Sequence, residues 1–95
     1  MTHIWQYVNW DERQIHKLYP TPLLRDVVYE GMATWASIQM LYSLGETTYA
    51  SQQEALMAAR EDVYGVGFRF YRERYDLIRD EGDVIISPFT TFPPL

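Results

Sequence analysis

The chain has 95 residues, eight of them basic and thirteen acidic, and no cysteine. That length makes one domain, 1–95, with a modest core. A net charge of −5 disfavours nucleic-acid backbones and anionic membrane surfaces as partners. The missing thiols remove disulfides, thiolate catalysis and cysteine-bound metals. Aromatic residues make up 16%, a high share that gives a small domain much burial per residue and also suits interfaces. The N-terminus, MTHIW, has no basic segment leading into an apolar one, so no signal peptide is expected. The uncharged run from Gly31 to Gly45 is too short and too rich in Ser, Thr and Gln for a membrane span of about 20 residues. The expectation is a cytoplasmic protein without a membrane partner.

Residues 3–8, HIWQYV, are β-branched and aromatic and read as a short strand or extended segment. Asn9 with Glu12 three residues on reads as a capping box opening a short helix, with Ile15, Leu18 and Tyr19 as its apolar stripe and Pro20 as its end. Thr21 followed by Pro22 is a strong second start, because proline at the first helical position lacks only an amide that would go unpaired. From Pro22 to Leu44, Leu24, Val28, Gly31, Trp35, Ile38 and Tyr42 recur at spacings of four and three, one stripe of a long helix, and Gly45 supplies its stop. Ser51-Gln52-Gln53-Glu54 reads as another capping box.

Beyond it, apolar pairs recur every seven residues: Leu56-Met57, Val63-Tyr64, Phe70-Tyr71 and Leu77-Ile78. A helical wheel gathers them on one broad side, whereas a strand would mix Phe68 and Phe70 with Arg72, Arg74 and Asp76 on one face. Arg69 stands four before Glu73 and Arg72 four before Asp76, as helix pairs do. Gly65 and Gly67 oppose continuity, each costing about 1 kcal/mol against Ala. The reading is therefore a helix over 52–80, with an α+β alternative placing a strand or hairpin at about 66–86. After Gly82, DVIISPF could pair with HIWQYV, and 87–95 is an extended Pro/Phe tail.

The fold expected is mainly α: an antiparallel hairpin of 22–44 and 52–80, a short N-terminal helix, and extended, possibly β-paired, termini. Opposite its main stripe, the central helix carries Tyr29, Ala33, Ala36 and Met40, a second apolar stripe. A helix apolar on two sides is covered on two sides. The cover is either the chain's own ends, with Ile4, Trp5, Tyr7, Trp10, Ile85, Phe89 and Phe92, or a second subunit. The hairpin would bring Gly31 against Gly65.

Chemistry is sparse. His3 and His16 belong to no metal spacing, the glycines form no phosphate loop, and no serine sits in a nucleophile elbow. No catalytic residue, cofactor or metal is assigned. Arg60, Arg69, Arg72, Arg74 and Arg79 cluster among aromatics, but Glu61, Asp62, Glu73, Asp76 and Asp80 offset them. The expected function is a non-enzymatic acidic protein, homodimeric through Tyr29, Ala33, Ala36 and Met40. It would bind an unidentified protein through Arg72, Arg74, Phe89 and Phe92, as a regulator, inhibitor or assembly factor. One alternative is a nucleic-acid-associated protein using run 68–79. Another is a small-ligand or pigment carrier with Trp35 and Tyr42 lining its pocket.

Overall fold

The computed structural model of the chain describes residues 2–79, and these are mainly helical, with no strand among them. The order is α1 (Thr2–Asn9), α2 (Glu12–Leu18), α3 (Pro22–Ser43), α4 (Thr47–Ala59) and α5 (Val63–Arg74). The expected pairing of DVIISPF with the N-terminus, and the 87–95 tail, lie outside the described residues.

Local signals place α3 as expected. The Thr21 hydroxyl accepts from the Leu24 amide, Pro22 occupies the first turn, and Gly45 takes φ +79° just beyond the last turn. The expected strand at 3–8 is instead helical. Trp5, Gln6 and Trp10 turn inward from that segment, and contacts with the rest of the chain override a weak β preference. Asn9 does not cap α2; its side-chain amide donates to the Trp5 carbonyl (2.9 Å) and closes α1. The α2 cap is Asp11, which accepts from the Arg13 amide, and Ile15 is buried from this short helix.

The expected helix over 52–80 is two helices. α4 begins at Thr47, so Ser51 sits inside it rather than at its start. The chain then turns at 60–62, where Arg60 pairs with Asp62 and the Asp62 carboxylate caps α5 by accepting from the Gly65 amide (3.1 Å). Gly65 is not a break point. It lies in the first turn of α5 against the Arg60 carbonyl, where a Cβ has no room. Nor is 66–74 a strand, because it belongs to α5.

Reversal at 60–62 changes the packing. The Ala58 carbonyl meets Arg69 and Glu54 meets Arg72, so α4 and α5 run antiparallel. Gly31 meets Gly67 and Trp35 meets Tyr75, so α5 ascends with α3 rather than against it. The close crossing expected for Gly31 is real, but its partner is Gly67 in place of Gly65. A Cβ on Gly31 would stand 2.5 Å from the Gly67 carbonyl carbon, so the backbones themselves touch. Around this contact lie Val28, Met32, Trp35 and Ile38 of α3 with Phe68 and Tyr71 of α5, all buried.

Past α5 the chain runs extended along α3, with Tyr75 and Leu77 buried and Asp76 and Ile78 outward. It is held by side chains of α3. The Trp35 indole donates to the Tyr75 carbonyl. The Gln39 amide donates to the Ile78 carbonyl (3.2 Å) and accepts from its N–H (2.8 Å), standing in for a neighbouring strand.

Candidate interaction surface

The second stripe of α3 is divided by α1. Gln6, buried, donates to the Tyr29 carbonyl (3.1 Å), and the Trp10 ring packs on Tyr29 at 5.3 Å between centroids. Tyr29 is thereby half-covered by the chain's own N-terminal segment, and Ala33 is half-buried beside it. Trp5 and Trp10, two of the residues expected to serve as cover, do so. Ile4 and Tyr7, also expected there, point away from the core.

Further along, the stripe is open. Ala36 is half-buried, but Met40 is 60% exposed and Leu44 is 70% exposed. With Thr2, Ser37 and Leu41 they line a groove of about 380 Å³. No charged side chain is among the described residues that line it. Of the four residues expected to form the subunit contact, the structure therefore leaves Ala36 and Met40 at an open face, draws Tyr29 toward α1 and half-buries Ala33. Leu41 and Leu44 were not singled out in the sequence, although Leu44 stands four after Met40 on the same stripe.

α1 adds a second apolar feature. Ile4 (62% exposed), Tyr7 (85%) and Val8 (77%) stand at i, i+3 and i+4, a ridge opposite the buried Gln6. That periodicity is present in HIWQYV, and it is the signal a strand reading conceals.

The arginine-aromatic run is largely used within the chain. Arg69 donates to the Ala58 (2.9 Å) and Arg60 (2.6 Å) carbonyls, closing the C-terminus of α4 instead of pairing with Glu73. Arg72 turns to Glu54 (3.4 Å) rather than to Asp76. Arg74 lies over the Phe70 ring at 3.7 Å and donates to the Phe70 carbonyl, at the surface. Phe89 and Phe92, the other residues expected to meet a partner, lie outside the described residues.

Glu54 is the centre of the main polar network. Its carboxylate accepts from the Tyr42 hydroxyl (2.7 Å), from Arg79 (2.8 Å) and from Arg72 (3.4 Å), with its side chain only 14% exposed. Burial alone would raise this carboxyl, but hydrogen bonds from Arg79 and Tyr42, with the charges of both arginines, hold it below the usual carboxylate range. The network joins α3, α4, α5 and the extended segment, which makes it a structural tie. Trp35 and Tyr42, the residues expected to line a ligand pocket, are buried, and their polar atoms bond to Tyr75 and Glu54.

His3 lies 3.4 Å from Glu30 and 2.8 Å from the Gln6 side-chain oxygen, and His16 lies 3.8 Å from Glu12. No group of three or more His, Asp or Glu side chains placed to hold a metal ion occurs among the described residues. Glu12 and His16 border a cleft of about 270 Å³ with Tyr7, Arg25, Asp26 and Tyr29. The Tyr29 hydroxyl is pushed up there, by burial first and then by the Glu12 carboxylate. A raised phenol at an open cleft is a hydrogen-bond donor and no nucleophile at neutral pH. No helix among the described residues is long and apolar enough to cross a membrane. No protein-family model, curated protein or solved structure matches the chain.

Proposed function

We propose that this is a cytoplasmic, non-catalytic protein that self-associates through the open half of the α3 face and, so assembled, binds another protein as a regulator, inhibitor or assembly factor. The observation that supports this reading is the groove at Ala36, Met40, Leu41 and Leu44, apolar and with no charged side chain among its described lining residues, on a chain whose net charge is −5. Two large apolar side chains well over half exposed, beside a concave apolar wall, suit a protein surface better than solvent. Tight packing there needs only a partner of matching shape.

The test is Met40→Arg in the full chain, read by light scattering after size exclusion. Because Met40 is exposed, the variant retains its helical circular dichroism, while the mass falls from dimer to monomer. A wild-type protein that shows the single-chain mass across the accessible concentration range overturns the reading.

A further inference from the structure

We propose that the cleft bordered by Tyr7, Glu12, Asp26 and Tyr29 binds a small organic cation, an ammonium group carrying an apolar or aromatic substituent. This goes beyond self-association and is independent of it, because no residue that lines the α3 groove lines the cleft.

Three helices build the cleft. α1 and the residue just after it contribute Gln6, Tyr7 and Trp10, α2 contributes Glu12, and α3 contributes Asp26 and Tyr29. Gln6 and Trp10 are buried and Tyr29 is half-buried. Gln6 donates to the Tyr29 carbonyl and the Trp10 ring packs on the Tyr29 ring, so the contacts that dock α1 on α3 also fix this wall. Tyr7, Glu12 and Asp26 are exposed, which leaves the site open to a ligand from solvent.

Charge selects the sign of the ligand. Two carboxylates, Glu12 and Asp26, are set against one guanidinium, and Arg25 donates to the Tyr19 carbonyl (3.0 Å). His16, 3.8 Å from Glu12, adds a positive charge only when protonated. The Tyr29 hydroxyl registers the local field: beyond the effect of burial, Glu12 pushes its pKa up more than Arg25 draws it down. A cleft with that sign concentrates cations, and the net charge of −5 steers them toward the chain.

Size and donor set select the class. At about 270 Å³ the cleft lies just below the usual range for drug-sized ligands, so its occupant is small. A bare divalent ion does not suit it, since no group of three or more His, Asp or Glu placed to hold a metal occurs among the described residues. An organic ammonium ion uses both kinds of lining. The carboxylates face its charge, while the rings of Tyr7, Trp10 and Tyr29 supply apolar surface and a π-system that attracts cations.

The experiment titrates benzylamine and choline into the full chain at pH 7 and low salt, read by amide and indole NMR shifts. Benzoate is the control, similar in size to benzylamine and opposite in charge. Both cations give saturable shifts at Tyr7, Trp10, Glu12 and Asp26, and benzoate gives none. Glu12→Gln and Asp26→Asn each weaken binding about two- to fivefold, the worth of one exposed ion pair, and together about tenfold. Both positions are exposed, so circular dichroism stays as in wild type. Salt at about 0.15 M weakens binding further, since it screens charges beyond about 8 Å. Absence of a saturable shift with either cation overturns the proposal. So does benzoate binding as well as benzylamine, which would mean that the ring alone is recognised. Affinity unchanged in both charge variants, or shifts confined to other parts of the surface, overturns it as well. The mass of the wild-type protein, dimer or single chain, decides self-association and leaves these readouts untouched.

Discussion

The Gly31–Gly67 contact makes a sharp forecast for Gly67→Ala. A Cβ at Gly67 would lie 2.6 Å from the Gly31 Cα and closer still to the Val27 carbonyl oxygen. Carbon atoms pack best at about 3.5–4.0 Å, so α3 and α5 must separate by roughly 1 Å. Every obstacle is backbone, and no side-chain rotation relieves it. A gap of that width forfeits a quarter to a half of each affected contact, here among Val28, Met32, Trp35, Phe68 and Tyr71. Overpacking of this kind costs about 3 kcal/mol at the upper end of its usual range. Alanine's better helix propensity returns about 1 kcal/mol. The net expectation is a loss of about 2 kcal/mol. Urea unfolding followed by tryptophan fluorescence reads it directly: with a slope of about 1–2 kcal/mol per molar, the midpoint falls by roughly 1–2 M. Gly31→Ala behaves alike, and the double variant loses less than the sum, because helices already parted accommodate the second methyl cheaply. A Gly67→Ala midpoint at or above wild type would refute the argument, since only propensity would then remain.

Two further outcomes concern the tie at Glu54 and the extended segment. The folded Glu54 carboxyl lies below its ordinary value of about 4.3, so its stabilisation is complete above that pH and is lost as pH falls through the lower folded value. Glu54→Gln therefore costs about 1–3 kcal/mol at pH 7 and flattens the acid limb of stability against pH, measured as urea midpoints from pH 7 downward. An equally steep acid limb in the variant would assign the effect to other carboxylates. Gln39→Ala frees both backbone groups of Ile78; amide exchange at Ile78 quickens at least several-fold while global stability changes by about 1 kcal/mol or less. Unchanged exchange would show that the buried Tyr75 and Leu77 alone hold the segment.

What was legible in the sequence was local. Thr21, Pro22 and Gly45 act through atoms a few residues away, and α3 begins and ends where those residues place it. The break at 60–62 was not legible. The seven-residue recurrence of apolar pairs continues across it, yet it is not one buried stripe: Leu56 of α4 and Tyr64 of α5 are exposed, and Ala50 is the buried residue of α4. Asp62 with Gly65 three residues on was the available signal, a cap read as a surface acid. Glu54 shows the same limit from the other side. Its spacing from Ser51 fits a capping box, yet its partners are Tyr42, Arg72 and Arg79, two of them 18 and 25 residues away. The arginines fail similarly: i, i+4 geometry makes Arg72–Asp76 possible, but a carboxylate shielded from water offers Arg72 a stronger pairing.

The open face of α3 follows from lengths. A helix of 22 residues rises about 33 Å, whereas the eight residues of α1 rise about 12 Å. α1 cannot cover more than about a third of the stripe, and its hydrogen bond at Tyr29 and ring contact from Trp10 fix that third toward the N-terminal end. Met40 and Leu44, up to 15 residues past Tyr29 on the helix, share the groove with Thr2 at the end of α1 but stay exposed. Lengthening α1 would close the gap only if its inner side were apolar, but that side is anchored by Gln6, whose amide needs the Tyr29 carbonyl. A short helix anchored by a polar residue, with its strongest apolar stripe facing outward, is poorly matched to covering its own chain.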